Sequence, residues 1–159
     1  MAQRSEPAQL DSFDRRILSE LQHDGRIKNQ ALADKVGLSP AACWRRVKAL
    51  EESGTIRQYT ALVDADALGQ SLCVLVMVSL VRHSRDSSRE FEEAVRGWPE
   101  VLQCYAVTGN ADFMLRVVTP DMGSYDSFLN DKLFSLPGIS QVNSNFALRE
   151  VKQETALPL

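Results

Sequence analysis

Residues 32–50, LADKVGLSPAACWRRVKAL, hold the end of one helix, the start of another and a cluster of cations, and their reading decides the N-terminal fold. Gly37 can take the left-handed conformation that closes a helix. Ser39 followed by Pro40 opens the next: a hydroxyl to accept from free N–H groups, then a ring whose fixed φ suits the first helical position. The turn VGLS at 36–39 therefore joins two helices tightly through glycine, the helix-turn-helix arrangement.

At about 100° per residue, Cys43, Val47 and Leu50 form one apolar stripe on the second helix, while Ala41, Arg45, Lys48 and Glu52 point away. Ser39, Ala41 and Ala42 are small and sit at the N-terminal end, so the backbone can approach another surface closely before the arginines begin. That order suits a helix entering the major groove of double-stranded DNA by its N-terminal end, with arginines on base edges or phosphates. Arg46 lies at the edge of the stripe, better placed for a phosphate than for a base. Trp44, at the flank, either packs or lines the DNA backbone, and Cys43 belongs to the core.

Upstream, LDSFDRRILSELQHDG spaces Phe13, Ile17 and Leu21 by four, with Asp11 and Asp14 as an acidic helix start and Gly25 as its stop. In NQALADKVG, Asn29 is the expected N-cap and a candidate DNA contact, and Leu32, Ala33 and Val36 the buried side. After Gly54, TIRQYTALV alternates like a short strand, a wing or connector that places Arg57 near a phosphate. A three-helix bundle used only for packing remains the competing reading.

The formal net charge is -3, yet residues 1–60 hold 10 Lys+Arg against 8 Asp+Glu, leaving 8 against 13 for residues 61–159. An acidic total is compatible with a nucleic-acid partner when the cations gather on one face of one half. With 44% hydrophobic and 25% charged residues the chain has ordinary globular composition. No apolar run reaches the ~18–20 residues of a membrane span, and the first residues lack a secretory segment, so a cytoplasmic, nucleoid-associated protein without a membrane partner is expected. Cys43, Cys73 and Cys104 are odd in number and widely spaced, which suits reduced, buried thiols. His23 and His83 give a metal little to bind. No nucleophile with a base, paired carboxylates or phosphate loop is present, so neither an enzyme nor a cofactor is expected.

From Asp64 the pattern changes. VDADALG reads as a hinge, and SLCVLVMVSLV as a strand apolar on both faces, with Leu72, Val74, Val76 and Val78 on one side and Cys73, Leu75 and Met77 on the other. A helix at SSREFEEAVRGW, strands at VLQCYAV and DFMLRVV, a helix at SYDSFLNDKLFSL and a strand at QVNSNFALREV complete β-α-β-β-α-β, the ferredoxin-like order. The fold class is α+β: a winged helix-turn-helix domain over residues 1–60, a hinge over 61–70 and a ferredoxin-like domain over 71–159. Helices cover one sheet face; a second subunit's sheet is the best cover for the other, which makes the chain a homodimer.

VTGNADF, residues 107–113, supports two readings. Gly109 provides backbone N–H groups for a carboxylate and Asp112 an acceptor for an ammonium group, the two ends of an amino acid. Equally, Asn110 is a turn former and Asp112 a cap in a tight hairpin, which the residues alone favour.

Taken in order, L-D-x-x-D-x-x-I-L, D-G-R, L-A-x-x-V-G-L-S-P, R-R-V-K-x-L-E-x-x-G-x-I, V-T-G-x-x-D-F and L-P-G-I resemble the Lrp/AsnC family of leucine-responsive and asparagine-responsive transcription regulators, over about Leu10 to Leu159. The resemblance implies dimers that pair their sheets, higher assemblies such as tetramers or octamers, and an amino-acid effector bound where subunits meet. It implies effector contacts at Thr108, Gly109, Asn110 and Asp112, and around the same pocket at Met122, Ser144, Asn145 and Phe146. Asn110 and Phe113 depart from the acidic residue and tyrosine that many relatives carry there. The rival to a DNA-binding regulator is an oligomeric amino-acid sensor that binds no DNA.

Overall fold

Three helices enclose Ile17, Leu32, Ala33, Val36, Cys43 and Leu50 in the first of two compact units of the computed structural model, which describes residues 9–81 and 85–159. Helix α1 (Ser12–His23) opens with a reciprocal capping box: the Asp14 N–H donates to Asp11 Oδ1 at 2.9 Å and the Asp11 N–H to Asp14 Oδ2 at 3.3 Å. It ends at His23, two residues before the expected stop at Gly25, with the Asp24 N–H donating to Glu20 O. The other predicted histidine, His83, lies outside the described residues.

Helix α2 (Asn29–Val36) closes on Gly37, whose φ of 75° belongs to the left-handed region. A Cβ at Gly37 would meet nothing within 4 Å, so the backbone conformation alone calls for glycine. Helix α3 (Pro40–Glu52) begins as expected, with the Ala42 N–H donating to Ser39 Oγ at 3.3 Å. Asn29 is not a cap: Lys28 occupies that position without a side-chain bond, and the Asn29 amide donates instead to Pro40 O at 2.9 Å. The amide therefore ties the start of α2 to the start of α3.

Thr55–Val63 forms no strand. An extended segment becomes a strand only by pairing, and among the described residues of this unit none pairs with it. It is held by Ile56 packed on the helical core and by the Tyr59 hydroxyl donating to Glu51 at 2.9 Å; burial, then that carboxylate, push the phenol up to about 12. Residues 152–159 also belong to this unit rather than to the second, as the sequence division had it. Gln22 and Leu157 exchange two hydrogen bonds, at 3.0 and 2.6 Å.

The second unit, residues 63–151, opens with a 3-10 turn (Asp66–Leu68) where the hinge is expected. It continues β1 (Leu72–Leu80), α4 (Arg85–Val95), β2 (Val101–Ala106), β3 (Phe113–Thr119), α5 (Met122–Phe128) with a π-helical turn (Leu129–Leu133), and β4 (Ile139–Phe146). The antiparallel sheet runs β2-β3-β1-β4. Val74, Val76 and Val78 are fully buried opposite Val117, Leu115 and Phe113, under Phe91 and Val95 of α4 and Tyr125 and Phe128 of α5.

The other face carries Cys73, Leu75, Met77, Met114, Val118 and Tyr105, with Leu75 38% and Tyr105 49% exposed. Strand β4 starts two residues before the expected Gln141, because a bulge at Ser79/Leu80 lets Ile139 pair with Leu80. It ends at Phe146 instead of continuing to Val151; one further bond, Ala147 N–H to Cys73 O, precedes a turn that brings Glu150 to within 3.7 Å of Arg116. Of the three cysteines expected to be buried, Cys43 is buried, Cys73 is half-buried and Cys104, near the free edge of β2, is exposed.

Truncating Leu115 to alanine is expected to cost about 2–5 kcal/mol, read from the urea midpoint of the second unit. Burial alone would raise the Glu100 carboxyl, but Lys132 at 2.6 Å holds it below the usual range. A depressed folded value contributes stability above the unfolded value of about 4.3 that is lost as the pH falls through the folded one. Glu100→Gln is expected to flatten the decline of the urea midpoint between pH 5 and 3.

Candidate nucleic-acid interface and effector turn

Ala41, Trp44, Arg45 and Lys48 share the exposed side of α3, because Cys43, Val47 and Leu50 take the opposite side into the core. Arg45 has no ion-pair or hydrogen-bond partner among the described residues. Lys48 leans on the Trp44 ring at 5.2 Å and stands 3.7 Å from Glu52. Trp44 is 54% exposed, an aromatic surface on the same side as the cations.

Ser39 and Ala42 are used internally, as acceptor and donor of the α3 cap, and Asn29 bridges to Pro40. Arg46 lies elsewhere. One helical step round from Arg45, it is half-buried against α1, and its Nη1 stands 2.8 Å from Asp11 Oδ2 and 2.7 Å from Asp14 Oδ1. Its guanidinium also stacks over Phe13 at 5.4 Å. The D-x-x-D pattern pointed to a cap alone; what it leaves open is that a carboxylate has two oxygens and the capping box occupies one of each.

In the second unit, Thr108–Asp112 forms the β2–β3 turn beside the far end of β1. Gly109 has φ 115°, the Val107 N–H donates to Asp112 O, and the Asp112 N–H donates to Val78 O. The Asp112 carboxylate takes the Leu80 N–H on Oδ2 at 2.8 Å, satisfying the donor that the β1 bulge releases. Ser79 Oγ donates to Asn110 O at 3.2 Å. The hairpin and cap are therefore real, and they leave capacity: among the described residues, Asp112 Oδ1 and the N–H groups of Gly109 and Asn110 have no hydrogen-bond partner.

Met122, Ser144, Asn145 and Phe146 do not join that turn within one chain. Phe146 pairs with Val74 and Met122 follows the Thr119 end of β3, whereas the turn sits at the Val78 end of β1, about 13 Å away at ~3.3 Å per residue. Their faces differ as well. Ser144 and Phe146 face the helices, where Ser144 hydrogen-bonds the Tyr125 hydroxyl and Phe146 meets the Tyr125 ring edge-on at 5.6 Å; Asn145, on the outer face, donates to Leu75 O. Tyr125, buried and central to this group, has no distinguishing mark in the sequence beyond its place on the inner side of α5.

Residues 10–57 match the profile described as winged helix-turn-helix DNA-binding, and residues 73–157 the Lrp/AsnC ligand binding domain. The leucine-responsive regulatory protein of Escherichia coli is 42% identical over 148 residues, 93% of this chain and 90% of that one. The chain belongs to the Lrp/AsnC family. Among solved structures, a transcriptional regulator from Neisseria meningitidis in complex with L-methionine is 41% identical with a TM-score of 0.89, covering 94% of this chain and 96% of that one. An AsnC family regulator from Agrobacterium tumefaciens is 39% identical, also at 0.89, covering 94% and 97%.

This Lrp/AsnC protein is thus a DNA-binding transcriptional regulator with a ligand-binding domain, not an enzyme. Among its described residues, no helix is long and apolar enough to cross a membrane. Its helix-turn-helix unit holds the start of α3 with the Ser39 cap. Ser39→Ala is expected to remove about 1 kcal/mol from the stability of the first unit, measured by thermal unfolding.

Proposed function

We propose that this regulator binds a roughly palindromic operator as a homodimer, each α3 entering the major groove of one half-site, with the half-sites about 34 Å apart. The exposed side of α3 carries this reading: it is small at its N-terminal end and then basic, with Arg45 unpaired among the described residues. Ala41 and Ala42 allow close approach, Arg45 reads a base edge, and Lys48 with Ser39 and Asn29 meets the flanking backbone. Phosphate contacts supply most of the affinity and make it fall steeply with salt. Such a protein works where the chromosome lies, in the cytoplasm at the nucleoid.

The effector in this reading is an amino acid, whose carboxylate meets the free N–H groups of Gly109 and Asn110, beside Thr108, and whose ammonium group meets Asp112 Oδ1. The meningococcal relative bound to L-methionine supports that chemical class. Met122, Ser144, Asn145 and Phe146 complete the pocket from another chain, since Met122 and Phe146 lie toward the far end of the sheet from their own turn and Ser144 faces the helices. Dimers form by covering the apolar outer face around Leu75, Met77 and Met114, and dimers associate further into tetramers or octamers.

Arg45→Ala is expected to cost about 1–3 kcal/mol of operator affinity and to relax sequence preference, whereas Lys48→Ala should weaken all sequences alike and reduce the salt slope by about 1. Titration calorimetry against the twenty amino acids should find a ligand whose binding shifts DNA affinity by about 1–3 kcal/mol and disappears in Asp112→Ala. Silence from all twenty would remove the effector assignment.

A further inference from the structure

Arg46 and Arg45 are neighbours in the chain and opposites in their surroundings. Each of the two α1 carboxylates divides its oxygens: Asp11 Oδ1 and Asp14 Oδ2 close the capping box, while Asp11 Oδ2 and Asp14 Oδ1 both receive Arg46 Nη1. The same guanidinium lies over the Phe13 ring. Phe13, Asp11 and Asp14 all belong to the first turn of α1 or its cap, so a single side chain of α3 meets three residues at one end of α1. Charge-assisted bonds of 2.7–2.8 Å converge on the one Nη1 while the guanidinium lies over the Phe13 ring, and together they restrict where the side chain can go.

Two carboxylates already sit at the Arg46 guanidinium, and the Arg16 guanidinium lies at the same Phe13 ring, 5.9 Å from its centroid. A phosphate approaching Arg46 would have to displace carboxylates already at hydrogen-bonding distance. Arg45, one helical step away and exposed, has no such obstacle among the described residues.

We infer that Arg46 is a positioning residue rather than a DNA contact: held by Asp11, Asp14 and Phe13, it fixes the roll of α3 against α1 and so decides which side of α3 faces the groove. This rests on the proposed role of α3 as the helix that enters DNA. A roll error hardly affects sequence-independent contacts, because phosphates lie on both sides of a groove, but it misdirects Arg45 at base edges.

The test uses the full chain, a duplex selected by the wild-type protein from a random pool, and a shuffled duplex of the same composition. Arg46→Gln is expected to lower affinity for the selected duplex by about tenfold or more, leave the shuffled duplex nearly unchanged, and keep the salt slope of the wild type. Asp14→Asn should reproduce the loss, and the double variant should add little, because both break one contact. Arg46→Lys, which keeps the charge but reaches fewer acceptors, should recover part of the specificity. Should Arg46→Gln fail to fold by circular dichroism, Asp14→Asn carries the same measurement.

A salt slope lower by about 1, with both duplexes weakened alike, would mean a phosphate contact and overturn the proposal. A lower melting temperature with both affinities intact would reduce Arg46 to a purely structural role and overturn it as well. Failure of the wild type to select any duplex would instead strike at the reading of α3 itself, and the role of Arg46 would fall with it.

Discussion

The pairing of β1 with β3, Val74 to Val117, Val76 to Leu115 and Val78 to Phe113, fixes nearly everything else in the second unit. Because side chains alternate along a strand, this one register sends six apolar residues under the helices and at the same time presents Cys73, Leu75 and Met77 on the far side. It sets the β2–β3 turn beside Leu80, where the bulge frees an N–H for Asp112. It also places Met122 and Phe146 at the other end of the sheet. A slip of one residue would bury the outer face, expose the valines and dissolve the turn's link to β1.

The first unit obeys a different constraint. A short helix that must offer one side to a partner can be held only by its remaining side, and α3 has three core residues, Cys43, Val47 and Leu50, with which to be held. Polar connections supplement them: Ser39 at the cap, Asn29 across the turn and Arg46 against α1. Each uses a residue type common at DNA surfaces for an internal purpose. Residue type alone therefore does not define the contact surface, and exposure must be read beside it: Ser39 stays exposed while Arg46 is half-buried.

Much of this was legible from residues whose chemistry acts locally. Asp11 with Asp14, Gly37 and Ser39 with Pro40 mark boundaries because caps and left-handed turns involve only a few neighbouring atoms. The alternating valines of β1 likewise announced a strand and its two faces. What escaped depended on partners distant in sequence. Thr55–Val63 alternates but has nothing to pair with among the described residues of its unit; Asn29 is a capping type engaged elsewhere; Arg46 finds its carboxylates 32 residues away. The effector positions came from family resemblance, and resemblance names positions without saying which chain supplies each. Nor does a cysteine in an apolar stretch reveal whether its strand lies inside the sheet or, as for Cys104, near its edge.

The exchange of two hydrogen bonds between Gln22 and Leu157 joins residues 135 apart in the chain. Chains emerge from the ribosome N-terminus first at about 5–20 residues per second. Helix α1 is therefore made long before its partner: the residues of the second unit must all be synthesised before Leu157 arrives. Until residue 157 has been made, the three helices of the first unit stand without that strap.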